Sequence, residues 1–262
     1  MIQKNHNFKN VFFPLSSQYD EKWIKKNSLG ENVLYNLESL CEIMEFRPGM
    51  KVLDLACGKA VSAIFLAKEF DVQVWAVDQY ISATENYERV KEMQVEDKVF
   101  PIHVNARELP FPGGFFDAIV VVDSYMYFGT DEKYAPYLSR FLKPNGIMGI
   151  VDICFNKEIN YLAEAPEYIR ADYKDNWYFV HSLDWWNRML EKSGVLKVQS
   201  SEIVPQNEFI RNEYVKDLNS HRKNDYIAEA ISKDNDMLIN IFRMVALRSE
   251  KEIEIGNYSK ET

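Results

Sequence analysis

The feature that most constrains the fold is an alternation running from residue 51 to residue 153. Short apolar runs at 51–56, 72–77, 99–104, 116–122 and 147–153 read as strands. Segments of helical period at 61–70, 82–94 and 132–141 separate most of them. Ser82 followed by Glu85 forms a capping box at the start of the second of these helices. Strands taking turns with helices predict a parallel sheet built with right-handed crossovers. Near-continuous apolar strands agree, because such strands are covered on both faces. Pro101 places the 99–104 strand at a sheet edge, since proline has no N–H to donate to a ladder.

The flanks differ from this core. Residues 1–30 read as an irregular aromatic arm that passes into a short helix near Trp23. From 31 to 46, Val33, Leu34, Leu37, Leu40, Cys41 and Met44 step by three and four, an amphipathic helix ended by Arg47-Pro48-Gly49. Residues 156–178 read as a loop with a short helix, 182–193 as a helix and 195–204 as a strand. Residues 208–232 are polar and helical, 237–247 form a last strand, and the tail from 249 is expected to fray. No repeat or linker divides the chain, so 1–262 is expected to be one domain. Its parts are an arm and helix (1–46), a ligand-binding core (47–155), an insertion with closing strands (156–248) and a tail (249–262).

Composition narrows the function. Lys plus Arg is 31 against 40 for Asp plus Glu, a formal charge of −9. Phosphate neutralisation by Lys and Arg drives nucleic-acid binding, so that partner class is not expected. The three cysteines, Cys41, Cys57 and Cys154, are scattered and form no C-x-x-C pair, so neither a disulfide framework nor a zinc site is expected. Four histidines without an H-E-x-x-H motif give no metal site either. No signal pattern opens the sequence, and the longest apolar run in its centre is 118–122, far short of a membrane span. A cytoplasmic setting is expected.

The most informative stretch is Val52-Leu53-Asp54-Leu55-Ala56-Cys57-Gly58-Lys59-Ala60. A strand ends there in a tight turn before a helix, with small residues at 56, 58 and 60 that let a ligand approach the backbone. Ligands bind open α/β sheets at such carboxyl ends. A dinucleotide site wants G-x-G-x-x-G, and here Gly58 is joined by Ala60 and Ala63 instead of glycines. Asp54 would also repel a pyrophosphate and suits a cationic ligand. Asp78 ends the second strand, placed to accept from ribose hydroxyls.

Leu53-Asp54-Leu55-Ala56-Cys57-Gly58, then Asp78, then 105–111 (Asn-Ala-Arg-Glu-Leu-Pro-Phe), Phe116-Asp117 and Leu142-Lys143-Pro144-Asn145-Gly146 together resemble a class I S-adenosylmethionine-dependent methyltransferase. Within it the chain is similar to small-molecule enzymes of the ubiquinone-biosynthesis and cyclopropane-fatty-acid-synthase-like groups. Two departures stand out: Ala at 56 and 60 where the family's loop has glycine, and Asn105 where it has an acid. The resemblance implies an α/β, Rossmann-like sheet of seven strands, mostly parallel, with an antiparallel C-terminal hairpin and helices on both faces. It implies S-adenosylmethionine as cofactor. Ala56 and Gly58 would face its methionine part, with Asp54 near the ammonium. Asp78 would hold the ribose, Gln79 would lie beside the adenine, and Asn105 and Ala106 would border its edge. Asp123 would sit near the sulfonium, and Tyr19 and Trp23 would close the site from the arm.

On the acceptor side, Tyr125, Tyr127, His181 and Trp185 are expected to meet over the methyl group and bind a small acceptor. His181 is the first candidate for a general base and Tyr127 the second. Trp186 is in phase with Leu183, Met189 and Leu190 and reads as core. The expected activity is methyl transfer to a small molecule, with a non-catalytic protein of the same fold and an NAD-dependent oxidoreductase as alternatives. No Asn-Pro-Pro-Tyr motif follows the fourth strand, where Asp123-Ser124-Tyr125-Met126 stands, which counts against a nucleic-acid acceptor.

Overall fold

The computed structural model describes residues 10–30, 33–218 and 225–250. After a 3-10 turn at Ser16–Gln18 come α1 (Glu21–Asn27) and α2 (Val33–Cys41). Then follow β1 (Lys51–Leu55), α3 (Val61–Phe70), β2 (Gln73–Asp78), α4 (Ala83–Glu92) and β3 (Val99–His103). Next are β4 (Phe116–Val122), the single turn α5 (Met126–Gly129), α6 (Tyr134–Ser139) and β5 (Leu142–Phe155). The later chain holds α7 (Glu167–Arg170), a wide turn at Tyr173–Trp177, α8 (Leu183–Lys192) and β6 (Leu196–Ile203). It ends with α9 (Asn207–Leu218), α10 (Tyr226–Lys233) and β7 (Ile239–Arg248).

The seven strands form one sheet in the order β3-β2-β1-β4-β5-β7-β6. The first five run parallel, while β7 pairs antiparallel with both β5 and β6. This is the mostly parallel sheet with an antiparallel C-terminal hairpin that the resemblance implies. The order reverses between β1 and β4, so a crevice opens beyond their carboxyl ends. Burial follows the strand positions. Leu53, Leu55 and Ala118 to Val121 in the central strands are buried, whereas β6 alternates along its length as an edge strand does. Pro101 sits in the other edge strand, β3.

Local chemistry explains the helix ends. Ser82 and Glu85 form the reciprocal capping box at α4. Ser182 caps α8 by accepting from the Trp185 amide, and Asp225 caps α10 by accepting from Ile227 and Ala228. The helix α2 packs on β4, β5 and β7 and against α3. Gly149 in β5 leaves room for the Met44 side chain that follows α2, since a Cβ there would lie 2.2 Å from the Met44 sulfur and 3.2 Å from Leu40 Cδ2.

Three expected elements differ. The helix expected over 31–46 ends at Cys41, and residues 31–32 lie outside the described residues. The one expected over 132–141 shortens to Tyr134–Ser139. The polar segment 208–232 is two helices, because Asp225 starts a new one; residues 219–224 between them lie outside the described residues. The expected fraying tail lies outside them beyond Glu250. Among the described residues, no helix is long and apolar enough to cross a membrane and no cluster of His, Cys, Asp or Glu has metal-binding geometry.

Two arginines tie the late elements to the sheet. Arg211 of α9 pairs with Asp234 at 2.9 Å, both buried, and donates to the Ile239 carbonyl at the start of β7. Arg243 of β7 reaches Glu202 of β6 at 2.7 Å and donates to the Ser39 carbonyl of α2.

Candidate functional site

A cavity of about 740 Å³ opens at the carboxyl ends of β1, β2, β4 and β5. Its floor is the loop after β1. Ala56, Gly58 and Ala60 all have left-handed backbone angles, with φ of 56°, 54° and 60°. Glycine takes that conformation freely, whereas each alanine carries a strain of about 1–2 kcal/mol. The surroundings hold the loop in place. The Gly58 amide donates to Asp78 Oδ2 at 2.9 Å, and Asn86 Nδ2 donates to the Gly58 carbonyl at 2.9 Å.

Asp54 lines the cavity and is only 1% exposed. Its Oδ2 accepts from the Ser62 hydroxyl at 2.6 Å, while its Oδ1 has no partner. Burial pushes its carboxyl up to about 7, opposed by the Ser62 bond and reinforced by Asp78. A cationic group set against Oδ1 would supply the missing bond and favour ionisation. Asp78 is buried and already accepts three amides: Gly58 on Oδ2, and Tyr80 and Ile81 on Oδ1 at 2.7 and 3.0 Å. A carboxylate has about four acceptor positions, so one remains for an incoming hydroxyl. Asp123, at a φ of 50°, closes the β4 end and accepts from Asn36 Nδ2 at 2.8 Å.

The sequence-predicted residues thus divide. Asp54, Ala56, Gly58, Asp78, Asp123 and Tyr127 all line the cavity. Gln79, Asn105 and Ala106 are not among the lining residues; Tyr80 is, one position beyond Gln79. The Asn105 Oδ1 accepts from the Arg107 amide at 2.8 Å, and the Ala106 carbonyl accepts from Tyr134. Tyr19 and Trp23 do not line it either. The Tyr19 hydroxyl donates to Glu69 at 2.8 Å with its ring against Phe65, and Trp23 is buried beneath α1. The arm still covers the cleft, through Asn27, Ser28, Leu29 and Gly30. Leu29 packs so closely on the loop that a Cβ at Gly58 would meet it at 3.0 Å.

The expected acceptor quartet is not brought together. Tyr125 is turned inward against Trp186, their rings 5.6 Å apart, and it is buried. His181 and Trp185 stack at 3.7 Å, and neither lines the cavity. The reason is local. Segment 156–182 returns to the end of β5, where the Phe155 amide donates to the His181 carbonyl. Glu158 then bridges His181 Nδ1 at 2.7 Å and the Ser182 amide and hydroxyl, both at 2.9 Å. His181 is therefore part of the α8 cap and is withdrawn as candidate base. Tyr127 remains at the cavity, and partial desolvation together with its neighbour Tyr226 pushes its hydroxyl pKa up, so it stays protonated.

Asp152, Tyr214, Asp225 and Tyr226 are among the lining residues that escaped the sequence reading. Asp152 carried a usable signal, a lone acid inside the apolar run 147–153. It is 2% exposed, accepts from the Ile153 and Met126 amides at 2.8 and 3.2 Å, and burial pushes it up to about 7. Tyr226 meets Tyr127 hydroxyl to hydroxyl at 3.4 Å. The residues fit a ligand with a cationic amino-acid portion on the β1 side and leave the β4–β5 side for a second molecule.

Residues 52–146 match the methyltransferase domain family. Phosphoethanolamine N-methyltransferase 3 of Arabidopsis thaliana is 24% identical over 222 residues, 82% of this chain and 43% of the plant protein. The 27-O-demethylrifamycin SV methyltransferase of Amycolatopsis mediterranei is 27% identical over 170 residues, 64% of this chain and 62% of that protein. The chain spans less than half the length of the plant phosphoethanolamine relatives it matches. Geranyl diphosphate C-methyltransferase from Streptomyces coelicolor A3(2), solved with Mg2+, geranyl diphosphate and S-adenosyl-L-homocysteine, superposes with a TM-score of 0.67. It is 19% identical, and the match covers 81% of this chain and 78% of that one.

Proposed function

We propose that the chain, whose residues 52–146 match the methyltransferase domain family, is a class I S-adenosylmethionine-dependent methyltransferase that moves a methyl group from S-adenosylmethionine to a small molecule held in the 740 Å³ cavity. The observation that carries this reading is Asp54: a buried carboxyl among the cavity-lining residues, with one oxygen lacking a hydrogen-bond partner, beside a left-handed loop. That oxygen suits the ammonium of the cofactor's methionine part, and Ala56 and Gly58 offer backbone at van der Waals distance. Asp78 has one acceptor position left for a ribose hydroxyl, and Tyr80 borders the same side. Bound there, the cofactor supplies a methyl group on a sulfonium, which leaves its bonding pair on sulfur when the methyl group departs.

The protein's own part is alignment and exclusion of water. Holding two reactants in line contributes about 7–11 kcal/mol in favourable cases. Leu29 and Gly30 from the arm and Tyr127 and Tyr226 from the far wall shape the space in which that alignment takes place. A nucleotide-diphosphate cofactor is disfavoured by Asp54 and by the alanines at 56, 60 and 63. The reading includes one domain over 1–262, an acceptor that is not a nucleic acid, and a cytoplasmic setting. The charge of −9 and three free cysteines support the last two. Calorimetry tests the proposal. S-adenosylhomocysteine is expected to bind and NAD is not; NAD binding with none of S-adenosylhomocysteine would overturn it.

A further inference from the structure

Resting on the methyltransferase reading, we infer that the acceptor is an amine, recognised in its protonated form by Asp123, Asp152 and Asp225 and by the rings of Tyr127, Tyr214 and Tyr226. The first argument is charge. Among the described residues that line the cavity, five are aspartates and one, Lys59, is basic. Lys59 lies on the cofactor loop, with its Nζ donating to the Lys26 carbonyl at 3.0 Å. Asp54 and Asp78 serve the cofactor half. Three carboxyls remain on the acceptor half, more than a cofactor with one net positive charge can offset.

The second argument is the kind of wall between those carboxyls. Tyr214 is buried, and Tyr127 and Tyr226 join at their hydroxyls. All three phenols lie within electrostatic reach of Asp152. Aromatic faces beside carboxylates are how proteins hold ammonium groups, because the ring quadrupole attracts a cation that has given up part of its water. The third argument is the approach. A second cavity, of about 610 Å³, shares Tyr226 as a wall and is lined by Glu167, Asp172 and Glu229. Its one lysine, Lys233, is paired with Glu229 at 2.6 Å. The two cavities thus carry the same sign on either side of Tyr226, which raises the local concentration of cations there. A phosphate-bearing acceptor would call for a clamp of Arg or Lys. The described wall holds none on this side, while Arg222 and Lys223 lie outside the described residues.

Asp152 completes the chemistry. A protonated amine has no lone pair, so it must lose a proton before its nitrogen bonds to the methyl carbon. The Asp152 carboxylate takes that proton and passes it to water. The nitrogen pair then forms the N–C bond, and the pair of the broken bond stays on sulfur. Asp152 shares the cavity wall with Asp123 after β4 and Asp225 before α10, and Tyr127 of α5, Tyr214 of α9 and Tyr226 of α10 lie within its electrostatic reach. Its carboxyl, pushed up to about 7, is matched to a proton acceptor at neutral pH.

The experiment titrates the S-adenosylhomocysteine complex calorimetrically with ethanolamine, putrescine and 2-phenylethylamine. The controls are 2-phenylethanol and phenylacetate, isosteres of the last amine, and phosphoethanolamine. At least one amine should bind, with 2-phenylethylamine about tenfold or more tighter than its alcohol and acid isosteres. Asp152→Asn should weaken amine binding by a similar factor while S-adenosylhomocysteine binds as before. The inference is overturned if the alcohol or acid binds as well as the amine. It is equally overturned if no amine binds, if only phosphoethanolamine does, or if Asp152→Asn changes nothing. Failure of S-adenosylhomocysteine itself to bind would instead sink the methyltransferase reading.

Discussion

At the scale of single residues, Asp78 shows how one carboxylate can serve both fold and site. From the sequence it is a strand-end acid for a ribose. In the structure it also fastens the loop under the cavity, through Gly58, and the turn after β2, through Tyr80 and Ile81. Replacing it therefore does more than remove a ligand contact. Hydrogen bonds to a charged group contribute about 1.5–3 kcal/mol each, and amides left unpaired in a buried site add to the loss. Asp78→Ala should lower stability by roughly 2–4 kcal/mol and weaken S-adenosylhomocysteine binding by about 2–3 kcal/mol. Asp78→Asn keeps one oxygen for Tyr80 and Ile81 but turns an amide NH2 toward the Gly58 amide, so it should recover part of the stability and little of the binding. Denaturant titration and calorimetry on the two variants separate these effects. Equal stability of Asp78→Ala and the parent would show that the three amide bonds do not matter.

At the scale of elements, the late helices depend on one buried ion pair. Arg211 sits three residues before Tyr214 on α9 and holds Asp234, which in turn accepts from the Leu238 and Ile239 amides and from Tyr168. Removing one partner of such a pair strands a buried charge, at about 3–5 kcal/mol. Arg211→Met should lose that much in a denaturant titration, and the double variant with Asp234→Asn should recover part of it. A loss below 1 kcal/mol would mean that α9 is anchored by its apolar face alone. These elements also mark how far the sequence was legible. The strands and helices from β1 to β5 were readable because apolar runs, Gly58, the Ser82 capping box and Pro101 act within a few residues of themselves. Of the residues expected around a cofactor, Asp54, Gly58 and Asp78 reach the cavity for the same reason, since they stand at strand ends, whereas Tyr19, Trp23, Gln79, Asn105 and Ala106 do not line it. The expected acceptor residues do not come together. His181 is claimed by Glu158, 23 residues away, and Tyr127 meets Tyr226 across 99 residues. No local period or motif encodes such partners, and 208–232 showed only a polar helical pattern.

At the scale of the whole molecule, the buried carboxyls set how stability depends on pH. Asp54 and Asp152 are both raised from 3.8 to about 7, chiefly by burial. Their folded pKa values lie above the unfolded ones, so the folded chain binds more protons than the unfolded chain between those limits. Stability from these two groups is therefore full below about pH 4, declines as pH rises toward 7, and levels off above it. Asp117 and Asp234 are shifted the other way, the first by Lys143 and the Lys51 amide, the second by the Ile239 and Leu238 amides and Arg211. Their contribution is present above the ordinary carboxyl value and is lost as pH falls through the lowered one. The two pairs together predict a melting temperature that peaks near pH 4–5 and falls toward pH 7.5, with the double variant Asp54→Asn/Asp152→Asn nearly flat over that range. A bound ammonium favours ionised Asp54, so the rise in melting temperature caused by S-adenosylhomocysteine should be larger at pH 7.5 than at pH 5. Once Asp54 must give up a proton to bind, affinity falls by up to about tenfold for each pH unit below its pKa. Thermal scans of the free and S-adenosylhomocysteine-bound protein at both pH values, with Asp54→Asn alongside, measure this directly. A ligand-induced shift that does not change with pH would remove Asp54 as the partner of the cofactor's ammonium, because a carboxyl titrating at about 7 cannot hold a cation equally well at both.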